Sequence, residues 1–172
     1  MPKLEVFFDY SCEYCKSGHE YLRDIIEDFP DIEIDWKPCE AHPRPEEYGR
    51  HSDLCARGMY FARDFGVDVD EYHKRMYHAA VNERDKVNVD DPAAVAGVVA
   101  DLCSADKFIE ALKSEKYVDT LDENNNLVWD VYECPAVPSF RVSGSGKLLK
   151  SVPRIGVTKD MLEEFLRKET GR

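Results

Sequence analysis

Apolar positions along this chain follow two periods, and the switches between them divide it into three stretches. Leu4, Val6, Phe7 and Phe8 form a short run of branched and aromatic residues, the pattern of a buried strand over 4–8. From Cys12 to about Phe29 the period becomes helical. Tyr21, Leu22, Ile25, Ile26 and Phe29 make one core-facing stripe, which Pro30 and Asp31 end. Ile32-Glu33-Ile34-Asp35-Trp36 then alternates apolar with acidic, a strand with one wet face. Strand, helix, strand in this order predicts a right-handed crossover and two parallel strands.

Three prolines in the eight residues Pro38 to Pro45 require irregular backbone there. Beyond them no comparable strand recurs until about Tyr132, and the spacing predicts helices over 48–65, 70–82, 92–103, 105–114 and 116–130. Gly66 ends the first, Asp70 and Ser104 serve as caps, and Asp91-Pro92 is a cap followed by a first-turn proline. Asn124-Asn125-Asn126 interrupts the last. Tyr60, Phe61, Phe65, Tyr72, Met76 and Tyr77 are expected to form the core of this helical block. Strand signals return in 137–142 and 147–152, joined by the turn Ser143-Gly144-Ser145-Gly146. A helix over 158–168, capped by Thr158, closes the chain. The order is βαβ, a helical block, then ββα. Residues 1–45 and 131–172 therefore form one α/β unit, with 46–130 as an all-helical insertion.

The chemistry sits where the first strand gives way to the first helix, at Cys12-Glu13-Tyr14-Cys15. With Ser11 as the cap, Cys12 takes the first helical position, where free N–H groups and the helix dipole favour a thiolate. The thiolate is the species that attacks disulfides. Cys15, one turn on, lies on the same face and can close or resolve a disulfide with it. That is the chemistry of thiol–disulfide exchange. A second use of the same pair is half a zinc site, with Cys39-x-x-His42 as the other half. That reading is disfavoured because zinc knuckles sit in turns rather than at the start of a helix after a buried strand.

Composition narrows the partners. The net charge of −12 excludes nucleic-acid backbone binding, which needs clustered Lys and Arg. No apolar run approaches the roughly 20 residues that span a bilayer. The start Met1-Pro2-Lys3-Leu4-Glu5 carries no charged-then-apolar leader, so a cytoplasmic location is expected, with Cys39, Cys55, Cys103 and Cys134 as reduced, mostly core thiols.

Strand, Cys-x-x-Cys helix, strand, then a later Val137-Pro138 before a hairpin and a closing helix resembles the thioredoxin fold. The helical insertion makes it similar to the DsbA family. Phe8-Asp9-x-x-Cys12-x-x-Cys15 and Pro38-Cys39-Glu40-Ala41-His42-Pro43 resemble the cytoplasmic FrnE-like branch. The resemblance implies that Cys12 attacks, that Cys15 resolves, and that Pro138 is a cis-proline packed beside them. The Val137 backbone then pairs with an extended substrate, next to Glu13 and Tyr14, and part of the aromatic stripe lines an apolar groove facing the cysteines. It implies no metal or organic cofactor beyond the Cys12–Cys15 couple. The expected partners are a disulfide-containing peptide or small thiol and an electron donor such as thioredoxin or glutathione. The chain departs from the family in the dipeptide: Glu13-Tyr14 stands where relatives carry Pro-Trp or Pro-His. A carboxylate beside Cys12 is expected to oppose its ionisation, which favours reduction or isomerisation over net oxidation. Two other readings follow from the same residues: a glutathione-dependent isomerase or transferase of the same superfamily, and a zinc-stabilised interaction module.

Overall fold

A computed structural model describes residues 1–172. Strand β1 (Lys3–Phe8) is central because both of its edges are paired and Leu4, Phe7 and Phe8 are fully buried. Strand β2 (Glu33–Pro38) runs parallel to it, from Lys3↔Glu33 to Phe8↔Pro38. Strand β3 (Ser139–Val142) pairs antiparallel on the other edge, with Leu4 opposite Val142 and Phe7 opposite Ser139. The sheet order is β2-β1-β3-β4. Strand β4 is only Leu148–Leu149, shorter than the pattern suggests, because the chain leaves the sheet to make a separate bridge between Val152 and Gly156.

Helix α1 (Glu13–Ile25) crosses from β1 to β2 and ends in a single 3₁₀ turn. The insertion comprises α2 (Asp53–Asp64), α3 (Val69–Tyr77), α4 (Pro92–Val98), α5 (Ala105–Lys113) and α6 (Val118–Asn125). Helix α7 (Lys159–Thr170) packs against α1. Asp91, Ser104 and Thr158 cap α4, α5 and α7 as their sequence predicts. The α3 cap is Asp68 rather than Asp70: its carboxylate accepts the Asp70 N–H at 3.0 Å, which leaves the Asp70 side chain free for His19. Helix α2 starts five residues late because Gly49 holds a left-handed φ of +83°.

The chain stays helical through the three asparagines, but the α-helix itself ends at Asn125. Asn124 Nδ2 donates to the Pro38 carbonyl and to Tyr60 Oη, so it satisfies the sheet rather than competing for its own backbone. The helix then widens into a π-helix over Asn126–Val131.

One contiguous cluster of 34 buried apolar residues joins the sheet, α1 and the insertion. Within it Phe8, Tyr10, Trp36 and Tyr77 box in His19 and His73, whose rings lie 4.8 Å apart. Tyr10 Oη meets His73 Nδ1 at 2.8 Å and His19 Nε2 meets Asp70 Oδ1 at 2.9 Å, so α3 is seated on α1. Tyr60, Tyr72, Met76 and Tyr77 are core as expected. Phe65 is not: it follows the end of α2 and is 46% exposed. No helix is long and apolar enough to cross a membrane.

Candidate active site

The loop between β1 and α1 is organised by Asp9, a buried carboxylate that collects four donors. Its Oδ1 accepts from Ser11 N at 2.9 Å, Ser11 Oγ at 2.8 Å and Ser52 Oγ at 2.6 Å, and its Oδ2 accepts from Ala41 N at 2.8 Å. This corrects the expected cap. Ser11 is turned back onto Asp9, and the cap becomes Cys12 itself, with φ −96°, ψ 119° and its Sγ accepting the Cys15 N–H at 3.3 Å. The sulfur therefore sits directly on one of the unpaired N–H groups of the first helical turn, where negative charge is stabilised.

The two thiols are driven apart. Hydrogen bonding from the Cys15 thiol, reinforced by the Cys15 and Tyr14 N–H groups, lowers the Cys12 pKa below the ordinary thiol value against burial and Asp9. The opposing carboxylate is thus Asp9 rather than the exposed Glu13. Burial, then the hydrogen bond and charge of Cys12, push Cys15 well above the ordinary value. Cys15 is 1% exposed, and its Sγ accepts the Asp9 N–H at 3.4 Å. Both cysteines are free thiols. The arrangement sets a more acidic, partly exposed thiol beside a sequestered one.

Facing Cys12 is Val137, whose carbonyl accepts from Cys12 Sγ at 3.7 Å and whose N–H makes no backbone hydrogen bond. The Val137–Pro138 peptide is cis, as the resemblance implies. Pro138 packs on Gly18: a Cβ built at Gly18 would lie 2.9 Å from Pro138 Cγ. Gly18 is a site residue that sequence reading passed over, although a glycine inside a helix, one turn past Cys15, is itself a sign of close approach.

The cleft over Cys12 has a volume of about 750 Å³ and is lined by Tyr14, Asp122, Trp129, Val137 and Arg154 among others. Tyr14 belongs to it but also acts as a clamp. Its Oη donates to the Arg154 carbonyl at 2.9 Å, and its ring closes on Gly156, whose left-handed φ of +77° and missing side chain leave the space. Glu13, expected beside the substrate, is not part of the lining, because the first turn of α1 carries it to the outer surface. Nor does the aromatic stripe of α2 and α3 line the cleft. The apolar wall comes instead from Trp129 on the π-helix and from the Pro135–Val137 loop.

Cys39 is buried, with its thiol donating to the Phe8 carbonyl at 3.4 Å and its pKa pushed well up by burial. His42 pairs with Glu46 instead, Nδ1 to Oε1 at 3.0 Å. No group of three or more His, Cys, Asp or Glu side chains stands close enough together to hold a metal ion, so Cys39 and His42 do not complete a site with Cys12 and Cys15. Cys134 is buried four residues before Pro138, and burial raises its thiol too.

A thiol pair at the head of α1, beside a cis-proline at one end of a four-stranded sheet with a helical insertion, defines the thioredoxin-fold disulfide-exchange class. The chain belongs to the family of DSBA-like thioredoxin domains, whose family model matches residues 3–163. No curated protein matches it in sequence. Among solved structures it is similar to a probable DsbA oxidoreductase from Streptomyces coelicolor, at 12% identity, TM-score 0.80, over 100% of this chain and 91% of that one. It is also similar to Chlamydia trachomatis DsbA, at 16% identity and TM-score 0.71 over 99% and 87%. Reduced DsbA1 from Neisseria meningitidis matches at 16% identity and TM-score 0.65, over 99% and 86%. At these identities the likeness is one of fold.

Proposed function

We propose that the protein is a FrnE-like thiol–disulfide oxidoreductase that works in the cytoplasm, in the reducing or isomerising direction, on a disulfide-bearing peptide or small thiol. The observation that carries this reading is the asymmetry of the thiols: Cys12 lowered and open to the cleft, Cys15 raised and buried. Cys12 thiolate attacks one sulfur of the substrate disulfide; a Cys12–substrate bond forms, and the other sulfur leaves as a thiolate that takes up a proton. Cys15 then loses its proton and attacks Cys12 Sγ, releasing the second substrate thiol and leaving the Cys12–Cys15 disulfide. Two electrons and two protons pass to the substrate, and thioredoxin or glutathione returns them. The unpaired Val137 N–H supports docking of an extended substrate strand antiparallel to residues 136–138.

Direction follows from how strongly the thiolate is held, because a more stable thiolate makes a more oxidising disulfide. Here hydrogen bonds from Cys15 lower the Cys12 pKa on balance, and the buried Asp9 charge limits how far; that limit is what supports the reducing direction. Equilibration with glutathione redox buffers tests the reading: a potential near thioredoxin's roughly −270 mV is expected. A value near DsbA's roughly −120 mV would overturn the reducing direction while keeping the exchange chemistry, and failure of Cys12 and Cys15 to form a disulfide would overturn both.

A further inference from the structure

Between the Cys12 loop and the insertion lie two imidazoles that the exchange chemistry leaves unused. His73 of α3 and His19 of α1 are both buried, with their rings 4.8 Å apart. Tyr10, in the loop between Asp9 and Cys12, is fully buried too, and its hydroxyl meets only His73 Nδ1, at 2.8 Å. That isolation decides the tautomer. With the proton on Nδ1, the Tyr10 O–H would be a buried donor without an acceptor, and the Nε2 lone pair would be unpaired as well. With the proton on Nε2, Tyr10 donates to Nδ1 and a single group is left over. It is the Nε2–H, which has no hydrogen-bond partner and is enclosed by the rings of Phe8, His19 and Trp36. An N–H is the group that aromatic rings can accept.

We propose that His73 is a positioning residue for Cys12: its Nδ1 holds Tyr10, and through Tyr10 the Asp9–Cys12 turn, until a proton on the histidine pair unseats α3. The proposal rests on the exchange reaction assigned to Cys12 and Cys15, and adds to it a residue of the insertion, 63 positions from the loop it holds. Tyr10 is the link because its neighbour Asp9 serves both cysteines. The Asp9 N–H donates to Cys15 Sγ, and the Asp9 carbonyl accepts the Cys12 N–H at 3.0 Å. Releasing the Tyr10 ring loosens this turn, lengthens the contact from the Cys15 N–H to Cys12 Sγ, and weakens the hold on the thiolate.

The surroundings of the pair oppose a proton. β1 and β2 present only the rings of Phe8 and Trp36, the loop presents Tyr10, and Tyr77 of α3 stacks on His19. The charged groups lie on the His19 side. They are Asp70 of α3, which also holds Lys74 at 3.3 Å and Arg23 at 4.0 Å, and Glu20 of α1. Burial, and then the neighbouring His19, keep His73 well below the ordinary histidine value of 6.5. Burial keeps His19 below it as well, against Asp70. The seating of α3 is therefore complete above about pH 6.5 and weakens as pH falls, because released histidines take up protons that the seated ones refuse. A proton on His73 Nδ1 also turns that atom from acceptor to donor, which ends the bond from Tyr10.

The test is the pH midpoint of Cys12 alkylation by iodoacetamide in the reduced protein, followed by mass spectrometry, together with hydrogen exchange of the α3 amides. Tyr10→Phe removes the hydroxyl alone, His73→Leu removes the acceptor, and His73→Asn puts an oxygen in the place of Nδ1 without a group that titrates. The expected midpoint rises by about half a pH unit, roughly threefold in the thiolate equilibrium, in Tyr10→Phe and in His73→Leu. Combining the two adds nothing further, and His73→Asn restores the midpoint to near the wild-type value. From about pH 7.5 to about pH 5, wild-type protection of α3 falls roughly tenfold more than that of β1 after correction for intrinsic exchange, and His73→Asn removes this excess. An unmoved midpoint in Tyr10→Phe overturns the positioning role, and that variant carries the test if His73→Leu fails to fold. A His73→Asn midpoint as high as that of His73→Leu overturns it too, since packing alone then explains both. An acid loss at α3 that persists undiminished in His73→Asn overturns the release by a proton. Absence of disulfide exchange in wild type, with these midpoint shifts present, overturns the exchange reading and leaves His73 as the holder of the Cys12 loop.

Discussion

The Cys12 loop and the cleft wall opposite it solve the same problem, placing groups around a sulfur atom, by contrasting means. In residues 9–15 the N–H groups that reach the two sulfurs come from within six residues: Cys15 N–H to Cys12 Sγ and Asp9 N–H to Cys15 Sγ. The wall joins Glu40 to Asn125 and Trp129 across more than eighty residues, and Arg154 to Tyr14 across 140. Reactivity is therefore set by a short local device that a helix N-terminus makes available to any chain. The cleft wall is closed by contacts between residues far apart in the chain.

Three perturbations sharpen that contrast. The largest effect is expected from the thiols themselves. Cys12→Ser lowers disulfide exchange by on the order of 10³ or more. Cys15→Ser instead traps the substrate on Cys12, visible as a mixed-disulfide adduct by mass spectrometry. An adduct that accumulates in Cys12→Ser but not in Cys15→Ser would reverse the two roles.

Asp9→Asn probes the hinge between the two regions, because Asp9 reaches out of its loop to Ser52 and Ala41. Losing charge-assisted acceptors at a buried position is expected to cost about 2–3 kcal/mol, read by urea denaturation. The same change removes a charge that holds the Cys12 pKa up. The pH midpoint of Cys12 alkylation, already below that of an ordinary thiol, therefore moves lower, and the variant reacts faster than wild type at mildly acid pH. A midpoint that rises would mean that loop geometry, not charge, dominates.

The smallest effect comes from the wall. Trp129→Ala is expected to lower kcat/KM for a peptide disulfide about tenfold through lost apolar contact. The loss in the rate of Cys12 alkylation by iodoacetamide should be clearly smaller. Equal losses in both assays would show that the wall and the cysteine loop act as one unit.

The same division explains what the sequence disclosed. Strands β1 and β2, the Cys-x-x-Cys helix and the caps Asp91, Ser104 and Thr158 are legible because each depends on neighbours within a turn or two. The shift of the cap from Ser11 to Cys12 is not, since it depends on Asp9 being anchored by Ser52, forty-three residues away. Phe65 misled because helical period alone does not reveal where α2 stops. Asn124 and Asn125 read as helix breakers because their partners, Pro38 and Glu40, are invisible to local pattern.

The central position of β1 has a consequence for how the protein is made. β2 follows soon after β1, but Val142, the partner of Leu4 on the other edge, emerges only after the whole insertion has been synthesised. At roughly 5–20 residues per second, that is a wait on the order of ten seconds. For that interval the nascent chain presents an open row of backbone donors and acceptors, flanked by Phe7 and Phe8, to any other strand nearby. Because β1 and β3 are so distant in the chain, that edge can close only after the insertion has been made, and Cys12 cannot face Val137 and Pro138 before then.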